Sequence, residues 1–272
     1  MSISETTATE SDIKGETKLP PPGRRRSFPV GSVILFLAVM GTWEFLPPAL
    51  NVKEFIFPRL SSVLEVFTSA ERLELIARNL YVTFAEAMTG LALAIVFGVT
   101  LGFLLGSSPW ARRMFYPYLI AIQGIPKVAL APLLLIWLGF GYETKVLMAA
   151  LICFFPVLIN TMSGVAGVNP QQLELFRALR ASRTQLWFRL LFPTALPSIF
   201  AAVELVAVYA TLGAIVAEFI SAQSGVGVLL QSMQANYDTA GMFAVFMILS
   251  AMGVTINQLV RFLRRRVIFW ER

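Results

Sequence analysis

Residues 169–197 read NPQQLELFRALRASRTQLWFRLLFPTALP, a run with four arginines set between two long apolar windows, 146–165 and 197–219. Pro170 suits the first position of a helix, where its missing N–H is no loss, and Leu173, Phe176 and Leu179 recur at three-residue spacing on one face. From Ser182, a residue fit to cap a helix, Leu186, Arg189 and Leu190 keep helical spacing until Pro193 stops it. Two short helices meeting at a corner are expected, forming a knob with apolar and cationic faces between two segments that need a bilayer.

Outward from this loop, a bilayer-crossing helix requires about 20 mainly apolar residues. Six windows qualify: 30–48, 81–107, 114–138, 146–165, 197–219 and 241–261. An all-α polytopic membrane protein of six transmembrane helices is the expected fold. Composition agrees, since 57% of the 272 residues are hydrophobic and 14% charged, against about 25% charged in soluble domains. With no His and a single Cys, Cys153, the chain cannot form a His-bearing zinc site, a Ser/His/Asp triad, a Cys/His nucleophile pair or an intrachain disulfide.

The net charge of +6 has a topological explanation. With the N-terminus in the cytoplasm, the inside segments 1–29, 108–113, 166–196 and 261–272 hold 16 basic residues. The outside segments hold 5, namely Lys53, Arg59, Arg72, Arg78 and Lys145. The asymmetry predicts both termini inside, and nucleic-acid binding is rejected. Residues 1–29 read as a disordered cytoplasmic tail, rich in Ser, Thr, Glu and Pro over its first 22 positions. Arg24-Arg25-Arg26-Ser27-Phe28 faintly imitates a twin-arginine signal, but no A-x-A site follows and more spans come later, so 30–48 is expected as a first transmembrane helix.

The expected organisation continues with 30–80, the first span and an external amphipathic segment around Leu64, Phe67, Leu73 and Ile76, and 81–265, a transmembrane domain with its cytoplasmic loop at 166–196. A short cytoplasmic tail, 266–272, ends the chain. Residues 220–238, with only Asp238 charged, are too polar for lipid and are expected to form a short external helix over the pore.

The loop resembles the "EAA" loop of binding-protein-dependent ABC importer permeases, whose pattern is E-A-A, three residues, G-A-S and then L-P; Glu174, Ala181, Ser182, Leu196 and Pro197 match. The wider chain, over roughly residues 75–265, resembles the nitrate/sulfonate/taurine-type branch. Its P-K-x-A-x-x-P-L-x-x-x-W-x-G-x-G pattern appears at 126–141 as PKVALAPLLLIWLGFG, and Val216-Ala217-Glu218-Phe219 and Gly225-Val226-Gly227 follow as in that branch. Leu175 and Phe176 replace the two alanines, and Arg180 stands where the family has Gly. Gly there would supply a positive φ; Arg180 therefore implies a different corner, a strained one, or a charge offered to the partner.

The resemblance implies a type I ABC importer permease fold and a subunit that moves a small solute, such as a nitrate, sulfonate, taurine or vitamin precursor, delivered by an extracytoplasmic substrate-binding protein. It also implies an inner-membrane location, a homodimer, and an ATPase docked on Glu174, Arg177, Ala178, Arg180, Ala181 and Ser182. The five lysines follow Ile13, Thr17, Val52, Pro126 and Thr144, so no Gly-Lys pair of a phosphate-binding loop exists. ATP and Mg are thus expected on a partner ATPase, with no cofactor and no enzymatic activity on this chain.

Three charges inside the spans are candidate pathway groups: Lys127, Glu204 and Glu218. Lys127 falls about 20 Å into the third window, where a charge must face protein or water. It reads either as a pathway cation for anionic solute or as the ion-pair partner of Glu204 or Glu218, with carbonyls freed by Pro126 and Pro132 also within reach. Glu44 and Glu86 fall near outer span ends, where charges reach water. Gly98, Gly102 and Gly106 form a close-packing stripe, and Cys153 reads as a small core hydrophobe. The competing reading is an ion-coupled secondary transporter using Lys127, Glu204 and Glu218, which leaves the 166–196 loop unexplained.

Overall fold

The computed structural model describes residues 30–221 and 223–270; the tail 1–29 lies outside them. It is all helical: α1 (Val30–Ala49), α2 (Leu60–Glu65), α3 (Ala70–Gly106), α4 (Pro109–Gln123), α5 (Ala131–Leu138), α6 (Tyr142–Ala166), α7 (Pro170–Ala178), α8 (Arg183–Leu186), α9 (Phe192–Ser221), α10 (Val226–Ala235) and α11 (Thr239–Val267). The chain divides into two units, 1–42 and 43–272. In the first, the described residues are the opening turns of α1, whose Val33, Ile34, Leu35, Phe36 and Leu37 are all exposed, as a lipid-facing helix requires.

Among the described residues, five helices are long and apolar enough to span a bilayer, and α4 with α5 make a sixth only as a bent pair. The window 114–138 is therefore not one straight helix: the chain turns by 78° between Gln123 and Lys127. Pro126 has no N–H to continue α4 and disfavours helical geometry in the residue before it, so the path restarts as a 3₁₀ turn, Lys127–Leu130, and then α5 with Pro132 in its first turn.

The core of the second unit is α3, α6 and α9. Lipid tails are as apolar as leucine, so helices gain from contact chiefly where small residues let their backbones come close. Gly102 faces the Leu158 carbonyl so tightly that an added Cβ would sit 2.5 Å from its oxygen and 2.8 Å from Thr161 Cβ. At Gly98 and Gly106 an added Cβ would meet Val157 and Val165 at 2.9 Å. Gly213 on α9 closes the other side of α6, 2.7 Å from the Ala149 Cα by the same measure. The glycine stripe thus packs within one chain, and Cys153 is fully buried in the same core.

The expected amphipathic segment is split. Val63 and Val66 belong to α2 and the 3₁₀ turn after it, whereas Leu73 and Ile76 already lie in α3, which starts at residue 70 under a Ser69 cap. Val63, Val66 and Ile76 are buried against Val226, Leu229 and Val245 of α10 and α11 in a second core, while Leu64 and Leu73 stay exposed. A short helix, α10, lies within 220–238 as expected.

Replacing Gly102 with Ala is expected to destabilise the fold by about 1–3 kcal/mol, because backbone on α6 must move. The same change at Gly41, with nothing within 4 Å of its added Cβ, is expected to be neutral. Thermal unfolding in detergent reads both, and equal midpoints for the two variants would contradict the close α3–α6 contact.

Candidate functional site: an exposed helical knob and the charges of the bundle

The knob is built as its residues dictate. The Asn169 side chain accepts from Gln171 N at 2.9 Å and opens α7 ahead of Pro170. Ser182 opens α8 with a reciprocal capping box, its Oγ accepting from Gln185 N and its own N–H donating to Gln185 Oε1 at 2.8 Å. Between them, Arg180 N donates to Arg177 O at 2.9 Å and Ala181 N to Phe176 O at 3.0 Å, the two bonds of a Schellman corner. Arg180 occupies its left-handed position at φ 52°, so the corner is retained and Arg180 is strained.

Leu173 and Phe176 are half-buried, while Glu174, Leu175, Arg177, Ala178 and Arg180 are exposed and Leu179 and Phe188 are 71% and 69% exposed. An apolar surface flanked by charge thus stands uncovered next to Ser182, with Ala181 half-buried behind it. The second knob helix does not stop at Pro193. A π turn, Trp187–Leu191, joins α8 to α9 without a break, and its wider spacing accommodates a proline that has no N–H to donate.

The membrane charges are distributed differently from either expected pairing. Lys127 donates to the freed Gln123 carbonyl and lies 5.3 Å from the Phe155 ring centre, and neither Glu204 nor Glu218 is its partner. Glu204 faces Arg264 Nη1 at 3.3 Å and Arg261 Nε at 3.7 Å on α11, and its backbone carbonyl accepts from Asn257. Glu218, 1% exposed, accepts from Thr83 Oγ1 and from Gly227 N, both at 2.6 Å. Thr83 in turn accepts from Val226 N, and Asn79 accepts from Gly225 N, so four side-chain–backbone or side-chain pairings lock the start of α10 to α3 and α9. Gly225 takes φ 115°, which only glycine adopts freely.

Two expectations fail together. Glu86 does not reach water but is 1% exposed, and Lys145 is not in an external loop but 5% exposed in α6. They form a salt bridge of 2.6 Å across the bundle. α3 runs for 37 residues from Ala70, so Glu86 lies well inside it, and a charge at that depth persists only with a partner. Glu44, by contrast, is half-buried and accepts from Ser61 N and Oγ at 2.9 and 2.7 Å.

A further feature escaped the hydrophobic windows. Ser250, Gly253, Asn257 and Arg261 fall on one stripe of α11 and, with Thr211 of α9, line a groove of about 580 Å³. The Thr211 hydroxyl is buried without a hydrogen-bond partner among the described residues. The spacing of polar residues three to four apart within 241–261 is the signal that could have found it.

With this geometry in view, the chain can be set beside known proteins. The model of the family "binding-protein-dependent transport system inner membrane component" matches residues 80–269. The chain belongs to this family. It is a multi-pass permease subunit of an ABC importer. The formylaminopyrimidine transport permease protein ThiX of Halalkalibacterium halodurans is 32% identical over 239 residues, covering 88% of this chain and 95% of that protein. The taurine permease TauC of Escherichia coli K12 is 28% identical, with 92% of each chain covered. A permease chain in the inward-facing MetNI methionine ABC transporter shares the fold at a TM-score of 0.65 and 18% identity, over 73% of this chain and 99% of that one. Permeases of this family work with ATPase and substrate-binding partners, and the secondary-transporter reading is not favoured.

Within the permease, the Glu86–Lys145 bridge provides a test of the bundle. Lys145→Met leaves a buried carboxylate unpaired and is expected to cost about 3–5 kcal/mol, whereas Glu86→Gln combined with Lys145→Met removes both charges and is expected to restore most of that loss. Thermal midpoints of the purified variants check it; a double variant no better than the single one would contradict the pairing.

Proposed function

We propose that the permease forms a homodimer, that its 166–196 knob docks an ATPase subunit carrying ATP and Mg, and that both termini lie in the cytoplasm. The observation that carries this reading is the uncovered knob, whose second helix runs without a break into α9. A displacement imposed at Glu174, Arg177, Ala178, Arg180, Ala181 and Ser182 passes through the Arg180 corner to α8 and from there along one continuous helical path to the far end of the bundle. Rocking of the third to sixth spans, α4 to α6, α9 and α11, between inward- and outward-open states then follows ATPase closure. The topology gains support from Lys145: with it inside the bundle, 16 basic residues remain on the inner side against 4 outside.

The solute pathway is proposed along the α9–α11 groove and the bend at Lys127, where polar groups in a spanning bundle need water or protein. Glu204 fixes the inner end of the groove through Arg261 and Arg264, and Glu218 fixes its outer end by holding α10. The cargo is a small polar organic solute delivered by an extracytoplasmic binding protein. Relatives named for formylaminopyrimidine, aliphatic sulfonates, taurine and riboflavin support that size and polarity.

A Glu174→Ala/Arg177→Ala variant is expected to lose at least about tenfold of its co-purifying ATPase, equivalent to about 1.4 kcal/mol, and with it ATP-dependent uptake. It should keep the elution position and melting temperature of the wild type. Full ATPase recovery and uptake in the variant would overturn the docking assignment.

A further inference from the structure

We propose that a cavity of about 470 Å³ between the start of α4 and the end of α6 is a binding site for the phosphate headgroup of an anionic membrane lipid, held by Arg112 and Arg113. The two arginines line the cavity with Tyr116 and Ser163, over an apolar floor that includes Met162 and Ala166. No acidic residue occurs from 87 to 142 or from 144 to 173, so neither wall offers a carboxylate. Among the described residues neither guanidinium has an ion-pair partner. The first turn of α4, capped by Ser108, also carries no acid, so its positive end adds to the same field.

The surroundings select a lipid over a free ion. Trp110 is 71% exposed and Tyr118 65% exposed, and Tyr116 is exposed beside them. Such aromatics sit at headgroup level, where an arginine pair meets phosphodiesters and its neighbours meet the first carbons of acyl chains. Basic pockets between spanning helices on the inner face are suited to anionic headgroups. The cavity opens on the same side of the bundle as the knob, because α6 leads directly into α7.

The test uses the full-length protein with its co-purifying subunits, exchanged into micelles containing equimolar phosphatidylglycerol and phosphatidylcholine, with native mass spectrometry reading the lipid retained. The wild type is expected to keep phosphatidylglycerol with a preference of about thirtyfold, the effect of two basic residues near a membrane surface. Arg112→Ala/Arg113→Ala should bring the preference close to one. Ser163→Phe, which fills the cavity from α6 and leaves both arginines in place, should do the same. Arg265→Ala/Arg266→Ala should leave it unchanged. No preference in the wild type, an equal loss in the Arg265/Arg266 variant, or retention in Ser163→Phe would each overturn the site. Displacement of the lipid by millimolar inorganic phosphate that itself stays bound would overturn the lipid assignment in favour of a free anion.

Discussion

The backbone-to-backbone approach of α6 to α3 and α9 is the constraint on which the other features rest. In a bilayer there is no water to drive helices together, and packing contacts supply the cohesion instead. Glycine at 98, 102, 106 and 213 removes the side chains that would hold these helices apart. Once α3 and α6 are that close, Glu86 and Lys145 necessarily meet, and a charge pair that would be prohibitive in lipid becomes an internal tie. The same closeness brings Asn79 and Thr83 of α3 to the start of α10, where Glu218 completes the lock.

Rigidity is unevenly distributed as a result. α3, α6 and α9 share a continuous core, whereas α4 has no buried residue and α5 buries only Ala131 and Leu134. A bent, loosely held segment beside a tight three-helix core is the arrangement expected of a part that moves, since low-stability elements are those with few buried contacts. Lys127 sits at the bend and is held by a backbone carbonyl and an aromatic face. Such ties are weaker than a buried ion pair and leave the bend free to change angle.

Much of this was legible in residue order. Apolar windows located the spans, and Pro170 and Ser182 marked the starts of the knob's helices, Ser182 capping α8 as its residue type suggests. The glycine stripe announced close packing. Other features were not legible because they depend on partners remote in sequence: Glu86 and Lys145 are 59 residues apart, and Glu218 meets Thr83 across 135. A hydropathy window averages over a bend, so Pro126 registered as an interruption without revealing a 78° turn. Pro193 misled for the opposite reason, because a π turn absorbed the missing donor that would have ended an α-helix.

That wide turn has a geometric effect on how the fifth span is read. Each residue of an α-helix rotates the chain by roughly 100°, and a π segment inserts extra residues without a matching advance in phase. A helical wheel drawn straight through Trp187–Leu191 therefore assigns α8 and α9 to the wrong relative azimuth. The face that the knob presents to its surroundings and the face that α9 turns toward α11 are set independently, and the five residues between them are the phase shifter.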